Sequence, residues 1–342
     1  MSTASQPLVS ICISAYNVER YLGETLRSVL DQTYKRIEVI LLDNGSVDGT
    51  YDVARSFSDE RLRVLRIESN IGGYQGMNKV IEMAQGQLIA VYHSDDVYEP
   101  EIVAKEVAYL QAYPNVGAVF CMDHLIDDEG KIYGKNSLPP FLQNQEWLEY
   151  DDLFPDMLRN HNSRLCCPTF MTRRQTLDRV GLFNPEKYDI GADTEMWLRI
   201  LRQFPLGILN ELLVRYRHRK DNWSRRFNNL RTEPDPFFAI MDEYLEMDGW
   251  HSKLNADDLV EYNYLRCDDD TVRAANLLIQ GDPDRALKLL QQPYPWRTLL
   301  INFRRRKARV LLLRWLIRCG VALRAIRPLA RTLVWTEYGG HN

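Results

Sequence analysis

The stretch PLVSICISAYNVERYLGETLRSVLDQTYKRIEVILLDNGSVDGT, residues 7–50, decides the fold. LVSICIS (8–14) is a short apolar run rich in β-formers, and VERYLGETLRSVLDQ after it places Leu22, Leu26, Val29 and Leu30 in helical spacing. IEVILL (37–42) returns to a strand pattern and runs into the turn-rich DNGSVDGT. A buried strand, a helix and a second buried strand of these lengths predict parallel β-α-β construction. The alternation continues outward through RLRVLRI (61–67), a helix near 73–84, QLIAVY (87–92), a helix after Pro100, and VGAVFC (116–121). Open parallel sheets gather ligands beyond the carboxyl ends of their strands. Asp43 ends the second strand and Asp95-Asp96 closely follow QLIAVY, so all three are expected at one crevice.

Adjacent carboxylates repel, so Asp95-Asp96 needs a reason. Carboxylate oxygens suit hard divalent cations, which also bind substrate phosphates. The alternative is that one of them caps the next helix, whose Pro100 and Glu101 fit a first turn. On these residues alone both readings stand. The neighbouring loops add chemistry: in SAYN (14–17), Tyr16 can stack on a base and Asn17 can bond its edge. Asp43 can accept from a base or from ribose hydroxyls, and SNIGGYQGMN (69–78) brings glycines and asparagines to the third strand's end. No G-x-G-x-x-G follows the first strand and no Walker lysine loop occurs, which argues against dehydrogenases and P-loop enzymes.

Composition fits a folded globular chain of 342 residues, 45% apolar and 26% charged. The N-terminus does not read as a secretory signal, and no apolar run reaches the roughly 18–20 residues of a spanning helix. Six scattered cysteines without zinc spacing suit reduced thiols in a cytosolic protein. From 126 to about 230, NQEWLEYDDLFPDMLRN and DTEMWLRILRQF read as helices, and PTFMT and LGILNELLVRYRH as strands. Beyond Pro234 and Pro236 the pattern is helical, with a helix–turn–helix at VRAANLLIQGDPDRALKLLQQ.

Taken together and in order, these segments resemble the family-2 inverting glycosyltransferases of the glycosyltransferase A-type fold, of the kind that build bacterial surface polysaccharide and lipopolysaccharide. The likeness runs from about residue 7 to about 220. It implies an α/β, Rossmann-like nucleotide-diphospho-sugar transferase fold. Residues 1–125 would form the nucleotide-sugar half, 126–230 the acceptor half, and 231–342 a helical C-terminal region. Ala15, Tyr16 and Asn17 match the family's base-binding strand end, and Asp43 its base-contacting acid. Gly72 and Asn78 fall in its second donor-side block. Asp95 and Asp96 match the end of its D-S-D-D element, with Asp96 the ligand of Mn²⁺ or Mg²⁺ and Asp95 on the ribose or a metal water. His93 stands where an aspartate is frequent, and Met77 where an arginine is. GADTEMWLRI places Asp193 at the general-base position, with Ala192 in place of a glutamate and Glu195 as the second choice. Asp193 also reads as the N-cap of that helix. In LVRYRHRKDNWS, His218 is a candidate contact of metal or phosphate, with a surface histidine as the alternative.

The resemblance further implies a nucleoside-diphosphate-sugar donor, UDP-sugar before others. It implies a glycan acceptor of the polyprenyl-diphosphate-linked type and a cytoplasmic location on the inner face of the membrane. The tail accords with this. From residue 300 onward ten Lys/Arg stand against one acid, a net +9 that leaves −13 to the rest of a chain of net charge −4. The segment 303–335 reads as basic amphipathic helices suited to an anionic membrane surface. Packing on the acidic body or on a second copy in a homo-oligomer is the alternative. Nothing upstream offers a nucleic-acid reading motif. Ala192, Met77 and His93 also admit a non-catalytic nucleotide-sugar-binding scaffold, and nucleotidyltransfer lacks its glycine-rich signature.

Overall fold

The computed structural model describes residues 6–140, 142–143, 145–161, 165–219, 230–247, 249–250, 254–291 and 314–318. The chain divides into two compact units, Met1–Phe154 with Ser163–Lys220, and Pro155–Asn162 with Asp221–Asn342.

The first unit is built on a mixed sheet. Its leading half follows the predicted alternation: β1 (Val9–Ala15), α1 (Glu19–Leu30), β2 (Ile37–Asn44), α2 (Thr50–Arg55), β3 (Leu62–Ile67), α3 (Gly73–Met83) and β4 (Leu88–His93). β3, β2, β1 and β4 lie side by side and parallel, with Ala15 opposite Asp43, Asp43 opposite Arg66, and Ser14 opposite His93. Then come β5 (Val97–Tyr98), α4 (Ile102–Ala112), β6 (Ala118–Ile126), β7 (Ile132–Lys135), β8 (Trp147–Leu148) and α5 (Tyr150–Asn160), of which only the part up to Phe154 belongs to this unit. β9 (Phe170–Arg173), α6 (Arg174–Val180), α7 (Pro185–Tyr188), α8 (Ala192–Leu201) and β10 (Leu206–Arg217) complete the unit. The strand order is β3-β2-β1-β4-β9-β6-β10-β5, with β7 on β6 and β8 on β10. β6 therefore does not extend the parallel run beside β4. The four-residue β9 separates them, antiparallel to both. Two arginines fix this insertion: Arg173 donates to the Leu110, Tyr113 and Val116 carbonyls at the end of α4, and Arg174 to those of Ala84 and Gly86 after α3. Each offsets carbonyls that a helix end leaves without partners.

The helices fold onto this sheet because their apolar residues recur on one face. α1 buries Leu22, Leu26 and Val29 against β1 and β2. The polar residues of α1 lash it to the stretch after β4. Thr25 Oγ1 donates to the Asp96 carbonyl (2.7 Å), Ser28 Oγ accepts from Tyr98 N (3.1 Å), and Gln32 Nε2 donates to the Glu99 carbonyl (2.9 Å). α8 is anchored by fully buried Trp197, whose ring meets Phe120 at 4.9 Å and Phe170 at 4.5 Å between centroids.

The second unit is helical: α9 (Pro236–Met247), α10 (Ala256–Gln280) and α11 (Pro283–Leu290). Asn255 and Asp258 form a reciprocal capping box at the start of α10, and Gly281 at φ +91° ends it. α10 and α11 make the expected hairpin around Ala274, Ala275, Leu278, Ala286 and Leu290. Of the basic segment 303–335 only 314–318 belongs to the described residues. There Ile317 packs into the hairpin core and Arg314 donates to Thr271 Oγ1 (3.1 Å), while Trp315 is exposed. No helix among the described residues is long and apolar enough to cross a membrane.

One core residue breaks the apolar rule. Glu106 on α4 is fully buried and neither carboxyl oxygen makes a well-aligned hydrogen bond, although the Tyr92 hydroxyl lies beside it. Burial pushes its carboxyl well above the usual range. The folded state therefore binds that proton more tightly than the unfolded state, and stability falls as pH rises above the ordinary glutamate range. Glu106→Gln is expected to raise stability by about 1–3 kcal/mol at pH 8, with the thermal-melting gap closing near pH 4. An equal gap at both pH values would refute a neutral Glu106 in the fold.

Candidate functional site

The carboxyl ends of β1, β2 and β3 form one interlocked rim. Asn17 adopts φ +50°, a left-handed conformation that asparagine tolerates. Its N–H donates to Ser46 Oγ (3.0 Å), and its side-chain oxygen accepts from Val47 N (3.0 Å). Gly45, at φ +77°, could not be replaced, since a Cβ there would stand 2.5 Å from the main chain of Ser69. Asn44 ties in the third loop, donating to the Gly72 carbonyl (2.9 Å) and accepting from Ile71 N (3.1 Å). The amide of Asn17, expected to read a base edge, thus engages its oxygen in holding the 44–49 loop. Tyr16 stands beside it at the lip, 39% exposed and open to stacking. Asp43 is buried, accepts from Ser46 N (3.2 Å) and pairs with Arg66 Nε at 3.1 Å. Arg66, its register neighbour on β3, also covers the Tyr51 ring at 4.7 Å.

Beyond β4, His93, Asp95 and Asp96 bring one ligand atom each to within 4.8 Å of one another. Asp96 is fully buried. Its Oδ1 accepts from Arg217 N (2.7 Å), and Oδ2 has no hydrogen-bond partner, lying 3.6 Å from His93 Nδ1. Burial, with the Asp95 charge next to it, pushes the Asp96 carboxyl well above the usual range, against the pull of Arg217. Burial likewise lowers His93, which favours a neutral imidazole with a lone pair to give. Two carboxylates and an imidazole, one buried oxygen among them unpartnered, fit a divalent cation. Among the described residues this is the one such group. His218 stands outside it. Its N–H donates to the Ile126 carbonyl (2.9 Å) and its Nδ1 meets the Tyr133 hydroxyl, which seats it against β6 and β7.

The base side is set by α8. Gly191 occupies the N-cap, so Asp193 is the second helical residue and not the cap. Its carboxylate accepts from Thr194 N (2.6 Å), and the Tyr74 hydroxyl from the first turn of α3 also donates to it. Burial nonetheless raises Asp193 overall, making it a stronger base than a solvated aspartate. Glu195, the second choice, is buried and held bidentately by Arg199 (3.0 and 2.9 Å), which also donates to the Leu182 carbonyl (2.8 Å). Through Arg199 it helps to fasten the turn before α7. Asn78 has a similar task, exchanging two hydrogen bonds with the Phe183 main chain (2.8 and 3.1 Å). The buried Cys167 thiol is pushed up, first by burial and then by the charges of Asp193 and Asp96.

Three residues here carry no local sequence signal. Arg217 is buried and serves the Asp95-Asp96 turn. Its Nε donates to the Asp95 carbonyl (2.8 Å), Nη1 to that of Asp127 (3.1 Å), and Nη2 to Glu24 (2.7 Å). Arg219 pairs with Asp95 at 2.9 Å. Asp123 on β6 accepts from Asn136 Nδ2 (2.8 Å) and is pushed up to about 6 by burial. Arginines in a basic stretch and an aspartate inside a strand look ordinary until the sheet brings them together. Arg217→Met is expected to lower unfolding free energy by about 3–5 kcal/mol in urea melts. Arg215→Met, which removes a half-exposed pair with Glu99, should cost under about 1 kcal/mol. Equal losses would deny Arg217 its supporting role.

Comparison with known proteins agrees with this layout. A family profile described as Glycosyl transferase family 2 matches residues 10–181. TuaG of Bacillus subtilis, which bears the name of a teichuronic acid biosynthesis glycosyltransferase, is 30% identical over 62% of this chain and 79% of its own. The glycosyltransferase GlyG of Streptococcus pneumoniae is 26% identical over 64% and 73%. Among solved structures, residues 1–349 of S. aureus TarS in complex with UDP-GlcNAc superpose with a TM-score of 0.53. They cover 87% of this chain and 91% of that one, at 15% identity. The sheet and its flanking helices thus have the glycosyltransferase A-type fold.

Proposed function

The chain belongs to glycosyltransferase family 2, and from that premise we propose that it is a metal-dependent inverting transferase. It would move a sugar from a nucleoside-diphosphate-sugar to a hydroxyl of a lipid-linked surface glycan. The observation that carries this reading is the dry carboxylate of Asp96, one oxygen unpartnered, clustered with Asp95 and His93. Asp96, Asp95 and His93 would hold the cation. A divalent ion bound there supplies positive charge to the diphosphate as it departs.

The rest falls to side chains. Tyr16 stacks on the base and Asp43, steadied by Arg66, accepts from its edge, which suits uracil. The neighbour TarS has been crystallised with UDP, which favours testing uracil first. Asp193 takes the proton of the acceptor hydroxyl while that oxygen attacks the anomeric carbon opposite the diphosphate. The bond from anomeric carbon to phosphate oxygen breaks, its electron pair leaves with the nucleoside diphosphate, and the configuration inverts. The transition state resembles an oxocarbenium ion. Tyr74 and Thr194 keep the Asp193 carboxylate aimed.

Asp193→Asn is expected to reduce donor-to-acceptor transfer by about 10³-fold or more while UDP binding, read calorimetrically against GDP and dTDP, persists. Because Asp193 is raised and must be deprotonated, the acid limb of the wild-type rate should lie above the ordinary aspartate range. Undiminished transfer by the variant would sink the assignment, and indifference to every nucleoside diphosphate would sink the wider reading.

The segment 303–335, with its excess of arginine and interspersed tryptophan, supports placement on the inner face of the cytoplasmic membrane, where a lipid-linked acceptor would be met. Full-length protein should float with anionic liposomes and a chain ending near residue 300 should not. Equal flotation would reject a membrane role for the segment.

A further inference from the structure

A cation already stands at the candidate metal cluster, and it belongs to the chain. Arg219 brings Nε to 2.9 Å from Asp95 Oδ2, with the two side chains only 13% and 16% exposed. Its guanidinium lies over the Tyr21 ring at 5.5 Å, and Arg217 covers the same ring at 4.9 Å. The Tyr21 hydroxyl is fixed in turn by Asp128 at 3.1 Å. The two arginines hold different things. Arg217 reaches main-chain carbonyls and Glu24, groups that belong to the fold. Arg219 reaches the carboxylate of a residue whose ligand atom lies within 4.8 Å of those of Asp96 and His93.

A guanidinium and a divalent ion cannot share that space without repulsion, because the separation is short and the surroundings are largely dry. A guanidinium displaced from a carboxylate is also well matched to a phosphate, since its fork of N–H donors fits either anion. We propose that Arg219 is the resident counter-ion of this site: it neutralises Asp95 while no divalent cation is bound, and it moves to the donor's diphosphate when the cation arrives. Arg219 thus competes with the cation taken alone and cooperates with it once the nucleotide is present. Binding of cation and of nucleoside diphosphate becomes positively coupled through one side chain, and the coupling acts equally in both directions. This rests on the functional reading above and adds to it a residue and an order of events.

The test uses purified full-length protein, with Mn²⁺ affinity read from the free-ion paramagnetic resonance signal and UDP affinity from calorimetry. Arg219→Gln should bind Mn²⁺ alone about tenfold more tightly than wild type, and UDP at saturating Mn²⁺ about tenfold more weakly. Arg215→Gln, which removes an equal charge four residues earlier, at its pair with Glu99, should leave both affinities unchanged. Should Arg219→Gln melt early, Arg219→Lys keeps the charge and loses the fork. It should hold Mn²⁺ near wild-type affinity and still weaken UDP. A merely structural arginine would weaken both ligands together, and that outcome overturns the proposal. So does unchanged binding in Arg219→Gln while wild type binds Mn²⁺ and UDP. Wild type that binds neither ligand overturns the functional reading, and this inference with it.

Discussion

Keeping the carboxylate of Asp96 dry is the constraint around which the first unit is arranged. A buried, ionised carboxylate costs several kcal/mol unless the fold answers it, and here the answer comes from one side. The main-chain N–H of Arg217 takes one oxygen and α1 holds the residue's carbonyl through Thr25, while the second oxygen has no hydrogen-bond partner and lies 3.6 Å from His93 Nδ1. The two-residue β5 gains its purpose from this. By pairing with Val214 and Arg215 it brings the end of β10 against the turn after β4. Arg217 can then reach both Asp96 and the Asp95 carbonyl.

Three carboxylates acquire different characters from their neighbours. Asp43 is matched to an arginine on the adjacent strand, which holds its carboxylate in place. Asp96, short of a partner, is suited to a cation. Asp193 is raised by burial but held by a hydroxyl on each side, Thr194 and Tyr74, which suits a group that must take a proton and return it. The separation of roles comes from environment and not from residue type.

Much of this was legible from the sequence, for physical reasons that can be named. β1, α1 and β2 announce themselves because each buries a continuous or periodic apolar set. The Asp95-Asp96 pair stands out because adjacent like charges need a counter-charge. β9 was visible as a strand but its position was not, since four residues carry no record of whether they lie beside β4 or beyond β6. Asn17, Asn78 and Glu195 have the polar groups that ligands need, and loop-to-loop closure needs the same groups. The partners actually present, Val47, Phe183 and Arg199, show the structural use. His218 and Arg219 are neighbours in a basic stretch just past β10, and adjacent residues of a chain can present their side chains to different surroundings. The histidine faces Tyr133 and the arginine meets Asp95.

The late arrival of Arg217 has a consequence for the order in which the protein becomes competent. The bond that fixes Asp96 joins residues 121 positions apart, whereas the rim around Asn17, Asp43 and Gly72 closes within the first third of the chain. During synthesis the base-side loops can therefore settle while the Asp95-Asp96 turn still lacks its support. A nascent chain passes through a stage at which the rim around Asn17 and Asp43 is closed while the main-chain bond that fixes Asp96 has yet to form. The Asp95-Asp96 turn gains its support only when the last strand of the sheet docks.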